Sequence, residues 1–350
     1  MKGDCIVRAD GYVFDFTHVA TRVPRMGLRR LILEAPQGFV RLLPRLASRL
    51  AECLEGVEVV VRLEPSYGLC SLSLSTLELY GPGTGLVHIG HEYYPYPLCW
   101  HGSCGGWPGA VGDRVFLVPG VYEGGDVSAL ASGVESLAPR GGGLVVAYTA
   151  QHAPLARRLA RVLEERGYRV YAVEPIVGCF FNNLLRHREA SAFVVVAGGR
   201  FHVLGLGLAL YGSSREAKLL AADPYTGRVE DAWPEALRVA ASRLWLMRRF
   251  ASEARSVGLI VGLLPGQYRP GVVDALKKLL DKHGIRYSVL AVERMSRELL
   301  DNLAPDDFDA FIVSSCPRLA VEDLADYWKP VLAPGEARAA LEGLGYRFPW

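Results

Sequence analysis

No apolar stretch in this sequence approaches the ~18 residues that a membrane-spanning helix needs; runs such as 203–210 and 259–264 stop far short of it. The first residues, Met1-Lys2-Gly3-Asp4-Cys5, carry an acid where a secretory signal would turn apolar, so a cytoplasmic location is expected. Excess charge is scarce: 39 Lys and Arg against 37 Asp and Glu leave +2. That balance supplies no field able to gather nucleic acid or anionic membrane, and neither is expected as a partner. Nucleotide fingerprints are missing too. Gly205-Leu206-Gly207 lacks the third glycine, and no G-x4-G-K-[ST] occurs, so NAD and ATP have no support. There is no C-x2-C pair of the kind structural zinc favours. The cysteines number seven, and an odd count in a long chain argues against a disulfide framework.

What the chain does have is material for cores. Half of its 350 residues are hydrophobic, which excludes wholesale disorder and leaves room for two to three domains. Three segments repeat one pattern of apolar run, loop with glutamine, amphipathic stretch and second apolar run. The first passes through Leu31-Ile32-Leu33 and Gln37 to 57–63. The second runs from 144–148 through Gln151 to 168–173, and the third from 259–264 through Gln267 to 287–292. Continuous apolar strands alternating with helices mark parallel βαβ units, because a strand buried on both faces has no polar side. Three related parallel-sheet α/β domains in a pseudo-threefold arrangement are therefore expected, spanning 1–125, 126–235 and 236–350. The stretch 93–112, rich in proline and glycine, reads as a long irregular loop.

The cysteines sort by position. Glu64-Pro65-Ser66-Tyr67-Gly68-Leu69-Cys70 and Glu174-Pro175-Ile176-Val177-Gly178-Cys179 close the first two repeats in nearly the same words, and Cys316 follows the apolar run 310–313. Each sits at a strand's carboxyl end, where parallel α/β sheets bind their ligands. Three such thiolates meeting at a pseudo-threefold centre suit a 4Fe-4S cluster with one open iron, available to a substrate or cosubstrate. Cys53, in phase with Leu46 and Leu50, reads as a core residue, and Cys5 carries no special role. Cys99 and Cys104, spaced C-x4-C, are open to zinc, to an accessory cluster or to a disulfide.

These residues resemble the archaeal diphthamide synthase family. The likeness runs in order through Ala35-Pro36-Gln37-Gly38, Tyr67-Gly68-Leu69-Cys70, Val87-His88-Ile89-Gly90-His91 and Gly178-Cys179. It continues through Gly198-Gly199-Arg200-Phe201-His202, Ala222-Asp223-Pro224-Tyr225-Thr226-Gly227, Leu264-Pro265-Gly266-Gln267 and Cys316-Pro317-Arg318. The resemblance implies a three-domain homodimer with one 4Fe-4S cluster per subunit on Cys70, Cys179 and Cys316, and S-adenosylmethionine on the open iron. It further implies an electron donor, and radical transfer of the 3-amino-3-carboxypropyl group to C2 of a histidine in elongation factor 2, with release of methylthioadenosine. Two positions depart from the family: Ser71 stands where an acidic residue is common, and Gln37 where glutamate is.

Further candidates accompany the cysteines. His88 and His91 are candidates to orient substrate or move a proton as the target imidazole regains aromaticity. Gly199 and Arg200 suit close backbone approach and a carboxylate clamp on the cofactor. Gln37, Gln151 and Gln267 occupy matching loops, with Gly266 and Gln267 the best cofactor contacts among them. Asp223-Pro224-Tyr225-Thr226-Gly227 reads as a β-turn. The rival functions are a quinolinate-synthase-like enzyme, which also holds a cluster by three cysteines, and a non-catalytic paralogue that relays electrons.

Overall fold

A computed structural model of the chain describes residues 4–100, 103–105 and 112–350. The chain divides into two compact units. The first comprises Met1–Gly125 with the short segments Thr149–Leu155 and Leu264–Gly266, and the second holds the remainder.

The first unit opens with a hairpin, β1 (Ile6–Ala9) and β2 (Tyr12–Asp15), and then lays down β3 (Arg30–Glu34), the helix Leu43–Cys53, β4 (Glu58–Val61) and β5 (Thr84–Ile89). The helix buries Leu43, Leu46, Ala47 and Leu50 at helical spacing, with Pro44 tolerated in its first turn. There follow β6 (Leu98–Trp100), β7 (Ser103–Gly105), β8 (Val115–Val118) and β9 (Val121–Tyr122). Four of these strands make a wholly parallel sheet in the order β4-β3-β5-β8.

The second unit carries two more sheets. β10 (Gly143–Tyr148), β11 (Arg169–Pro175), β12 (Ala192–Val196), β13 (Lys218–Ala222) and β14 (Val229–Asp231) pair as β11-β10-β12-β13-β14, with only β14 antiparallel. β15 (Ser256–Gly262), β16 (Arg286–Val292), β17 (Ala310–Val313) and β18 (Val331–Leu332) pair as β16-β15-β17-β18. Numbered within each repeat, the parallel strands share the order 2-1-3-4 in all three sheets. The order reverses direction between strands 1 and 3, and the crevice beyond their carboxyl ends is where such sheets hold ligands. The central strands are buried end to end, as β10, β12 and β17 illustrate.

Two readings of the sequence change, those of Cys5 with Cys53 and of the stretch 93–112, and of the alternatives open to Cys99 and Cys104 the disulfide is the one formed. Cys53 is half-buried and disulfide-bonded to Cys5, tying the start of the hairpin to the end of the helix Leu43–Cys53. Cys99 and Cys104 face each other across β6 and β7 and form a second disulfide. The stretch 93–112 thus contains a hairpin, although its residues 101–102 and 106–111 lie outside the described ones. The expected turn at Asp223 is present: Asp223 Oδ1 accepts from the Tyr225 N–H at 2.8 Å, and Gly227 closes the turn at φ +70°. Among the described residues no helix is long and apolar enough to cross a membrane.

Candidate functional site

At the carboxyl ends of β3 and β5, strands 1 and 3 of the first sheet, Glu34 and His88 occupy partnered register positions. Neighbours in register on parallel strands point to the same face, and these two side chains meet in a dry environment, both 0% exposed. His88 Nδ1 lies 2.7 Å from Glu34 Oε1, and Glu34 Oε2 accepts the Ser73 N–H at 3.3 Å. Gly90, at φ +94°, turns the chain directly after β5. A side chain there would also strike the Pro36 ring, 2.9 Å from where its Cβ would stand. The turn brings His91 Nδ1 to 3.0 Å from His88 Nε2. Gln151, from the short segment 149–155, donates its amide to the Gly90 carbonyl and so fixes the turn.

Cys70 lies beside this cluster in the same unit. It sits in a single helical turn, Leu69–Ser71, entered through Gly68 at φ +153°. Ser71 Oγ accepts the Tyr67 N–H at 2.7 Å and donates to the Gly68 carbonyl at 3.0 Å, closing the turn from within. From the position a Cβ on Gly68 would take, Cys70 Sγ is 3.8 Å away and His91 Nε2 and Cδ2 are 3.9 Å away, so thiol and imidazole edge border one small space. Gly266 braces the turn from behind. Its N–H donates to the Cys70 carbonyl at 2.9 Å, and its carbonyl accepts from Tyr94 Oη at 2.5 Å. A Cβ on Gly266 would stand 2.5 Å from the Cys70 Cα, so the approach admits only glycine. The disulfide hairpin is anchored to the same brace, because the Cys99 N–H donates to the Pro265 carbonyl at 2.6 Å.

In the second unit Cys179 follows β11 and Cys316 follows β17. Cys70 and Cys179 thus come after strand 2 of their sheets, and Cys316 after strand 3. Trp350 Nε1 donates to the Cys179 carbonyl at 2.8 Å, and the Arg269 guanidinium lies 3.9 Å from the Trp350 ring centroid, within cation–π range. Burial pushes the Cys179 thiol up to about 11. Arg269 opposes that rise and the neighbouring Cys316 adds to it. Gln267 is buried and, with Ser315, closes over Gly262 next to the Cys316 turn. His202 is pushed down to about 4, chiefly by burial and also by Arg318.

The remaining sequence candidates have partners of their own. Gly199 precedes the helix Arg200–Gly212 and borders a cleft of about 270 Å³ with Asp223, Thr226 and Arg228. Arg200 is exposed, and its guanidinium pairs with Glu235 and with Glu230. Gln37 is exposed at the start of the short helix Gln37–Val40. Sequence reasoning missed Glu34, Arg269 and Trp350. Only the first left a trace, as a carboxylate closing the apolar run Leu31-Ile32-Leu33. Among the described residues no group of three or more His, Cys, Asp or Glu side chains forms a ready-made metal site. The donor chemistry nevertheless suits iron: Cys316 disfavours the anion of the neighbouring Cys179 thiol, and a cationic cluster would relieve that repulsion.

Comparison with known proteins places the chain. The family model described as "Putative diphthamide synthesis protein" matches residues 35–347. The 2-(3-amino-3-carboxypropyl)histidine synthase of Pyrococcus horikoshii is 27% identical over 93% of this chain and 89% of its own length. The 2-(3-amino-3-carboxypropyl)histidine synthase subunit 1 of Homo sapiens is 25% identical over 98% of this chain and 75% of its own. The crystal structure of Dph2 from Pyrococcus horikoshii with a 4Fe-4S cluster superposes with a TM-score of 0.78 at 27% identity, covering 95% of this chain and 92% of that one.

Proposed function

Because the chain belongs to the diphthamide synthesis protein family, we propose that it transfers the 3-amino-3-carboxypropyl group of S-adenosylmethionine to C2 of a histidine in elongation factor 2. One observation carries the reading. Two disulfides take four of the cysteines, and the three thiols outside them, Cys70, Cys179 and Cys316, each follow a strand of one of the three like-ordered sheets.

In this reading those three cysteines hold a 4Fe-4S cluster with one open iron. When bound, the cluster supplies the electron that breaks the Cγ–S bond of S-adenosylmethionine, giving methylthioadenosine and the carbon group that is transferred. The chain's own residues do the rest. Gly266 and Ser71 keep the Cys70 turn in one geometry, Trp350 holds the Cys179 carbonyl, and Arg269 offsets negative charge beside Cys179. Gln267, Gly266 and Gln37 are the candidates to line the cofactor, and Gly199 and Arg200 a more distant contact, with Arg200 having to leave Glu230 and Glu235 to serve. His88 and His91 handle the proton of the target imidazole. The reading brings with it an external electron donor, a homodimer and a cytoplasmic setting.

The test is anaerobic reconstitution with iron and sulfide, then dithionite and S-adenosylmethionine in the presence of elongation factor 2. Methylthioadenosine with a matching mass gain on one histidine is the expected result. 5′-Deoxyadenosine would indicate a different bond cleavage and a different enzyme. An intact cluster that consumes no S-adenosylmethionine would leave only an electron relay or a metabolite enzyme.

A further inference from the structure

We infer that Glu34 is a positioning residue: through His88 it sets which nitrogen of His91 carries hydrogen, and so presents His91 Nε2 as the acceptor for the proton that the target imidazole must lose. The inference rests on the proposed function and adds a residue and a direction to it.

The hydrogen-bond chain assigns the direction. A carboxylate has only acceptor oxygens, so the 2.7 Å contact to Glu34 Oε1 makes His88 Nδ1 the donor. In a neutral ring the other nitrogen is then an acceptor, and His88 Nε2 receives a hydrogen from His91 Nδ1 at 3.0 Å. That leaves His91 Nε2 as an acceptor on the ring edge that borders the same space as Cys70 Sγ. The inner two members are completely buried and His91 is half-buried, so the chain runs from the dry interior to the thiol side.

The reaction needs such an acceptor. S-adenosylmethionine enters as a sulfonium cation and leaves as neutral methylthioadenosine. The Cγ–S bond breaks with one electron, a bond forms from that carbon to ring C2, and the C2–H bond breaks. Its electron returns to the centre that supplied the first, and its proton goes to His91 Nε2. A proton arriving there can displace the Nδ1 proton of His91 to His88, and that of His88 to Glu34. Both rings end neutral, and the buried carboxylate loses a charge, so no new charge is created in the dry interior.

Two measurements on the full chain test this. Long-range ¹H–¹⁵N correlation on histidine-labelled protein without cluster reads the tautomers directly. Nδ1–H is expected at both His88 and His91, and Glu34→Gln, whose amide can donate to His88 Nδ1, should move both hydrogens to Nε2. In reconstituted protein the ratio of group transferred to methylthioadenosine formed should fall at least about tenfold in Glu34→Gln and in His91→Gln. Wild-type rings with hydrogen on Nε2 would overturn the inference, as would an unchanged ratio in His91→Gln, the variant that decides should Glu34→Gln fail to fold. Absence of methylthioadenosine from the wild-type protein would instead sink the proposed function, while the tautomers would still report the hydrogen-bond chain.

Discussion

Single residues govern what each thiol can do. The Cys179 thiol is raised from an ordinary 9.0 to about 11, first by burial. At pH 8 that cuts its thiolate fraction about a hundredfold, and the thiolate is the reactive form. In the protein without cluster, alkylation of Cys179 by iodoacetamide should therefore climb about tenfold per pH unit from 8 to 10. Arg269→Met should slow it further, since the guanidinium is what pulls the thiol back down. Peptide mass spectrometry reads both effects, and a rate flat across that range would show the thiol is not desolvated. Gly266 makes a steric rather than an electrostatic demand. Its missing Cβ would stand 2.5 Å from the Cys70 Cα, so Gly266→Ala must push the cysteine turn aside. A cost of about 1–3 kcal/mol is expected, with iron content after reconstitution well below wild type. Denaturant titration and iron assay measure the two, and full iron loading would mean the turn tolerates the shift.

At the scale of elements, periodicity reveals what is local and is blind to what is not. The paired apolar runs around Gln37, Gln151 and Gln267 are legible because a strand buried on both faces leaves no polar residues in it, and all three become neighbouring parallel strands. The thiols of Cys70, Cys179 and Cys316 are legible because each comes in the loop or turn after an apolar run. Glu34 is not, since a carboxylate at the end of an apolar strand looks like the strand's exit to solvent until its register with His88, 54 residues on, is known. Cys5 and Cys53 fail for the same reason. Each reads as unremarkable in its own element, and only the packing of the hairpin against the helix Leu43–Cys53 joins them. That bond closes a loop with a sequence separation of 48 residues, for which chain entropy gives about 4 kcal/mol of stabilisation. The double variant Cys5→Ser, Cys53→Ser should lose most of it, with the three cluster-ligand candidates untouched. Guanidinium denaturation is the check, and a loss under about 1 kcal/mol would mean that the hairpin already constrains the unfolded chain.

For the whole molecule, the proposed cluster has a consequence that no one element carries. Its ligand candidates, Cys70, Cys179 and Cys316, lie far apart in the sequence. A group bound only to the folded form stabilises by mass action, about 2.7 kcal/mol when its free concentration is a hundred times the dissociation constant. When that group needs all three thiols, loss of any one of them forfeits the gain. Calorimetry should then show the reconstituted protein melting about 4 °C above the cluster-free one. Cys70→Ser should abolish this gain as completely as Cys316→Ser. If Cys70→Ser kept the full gain, the three-thiol assignment would fall.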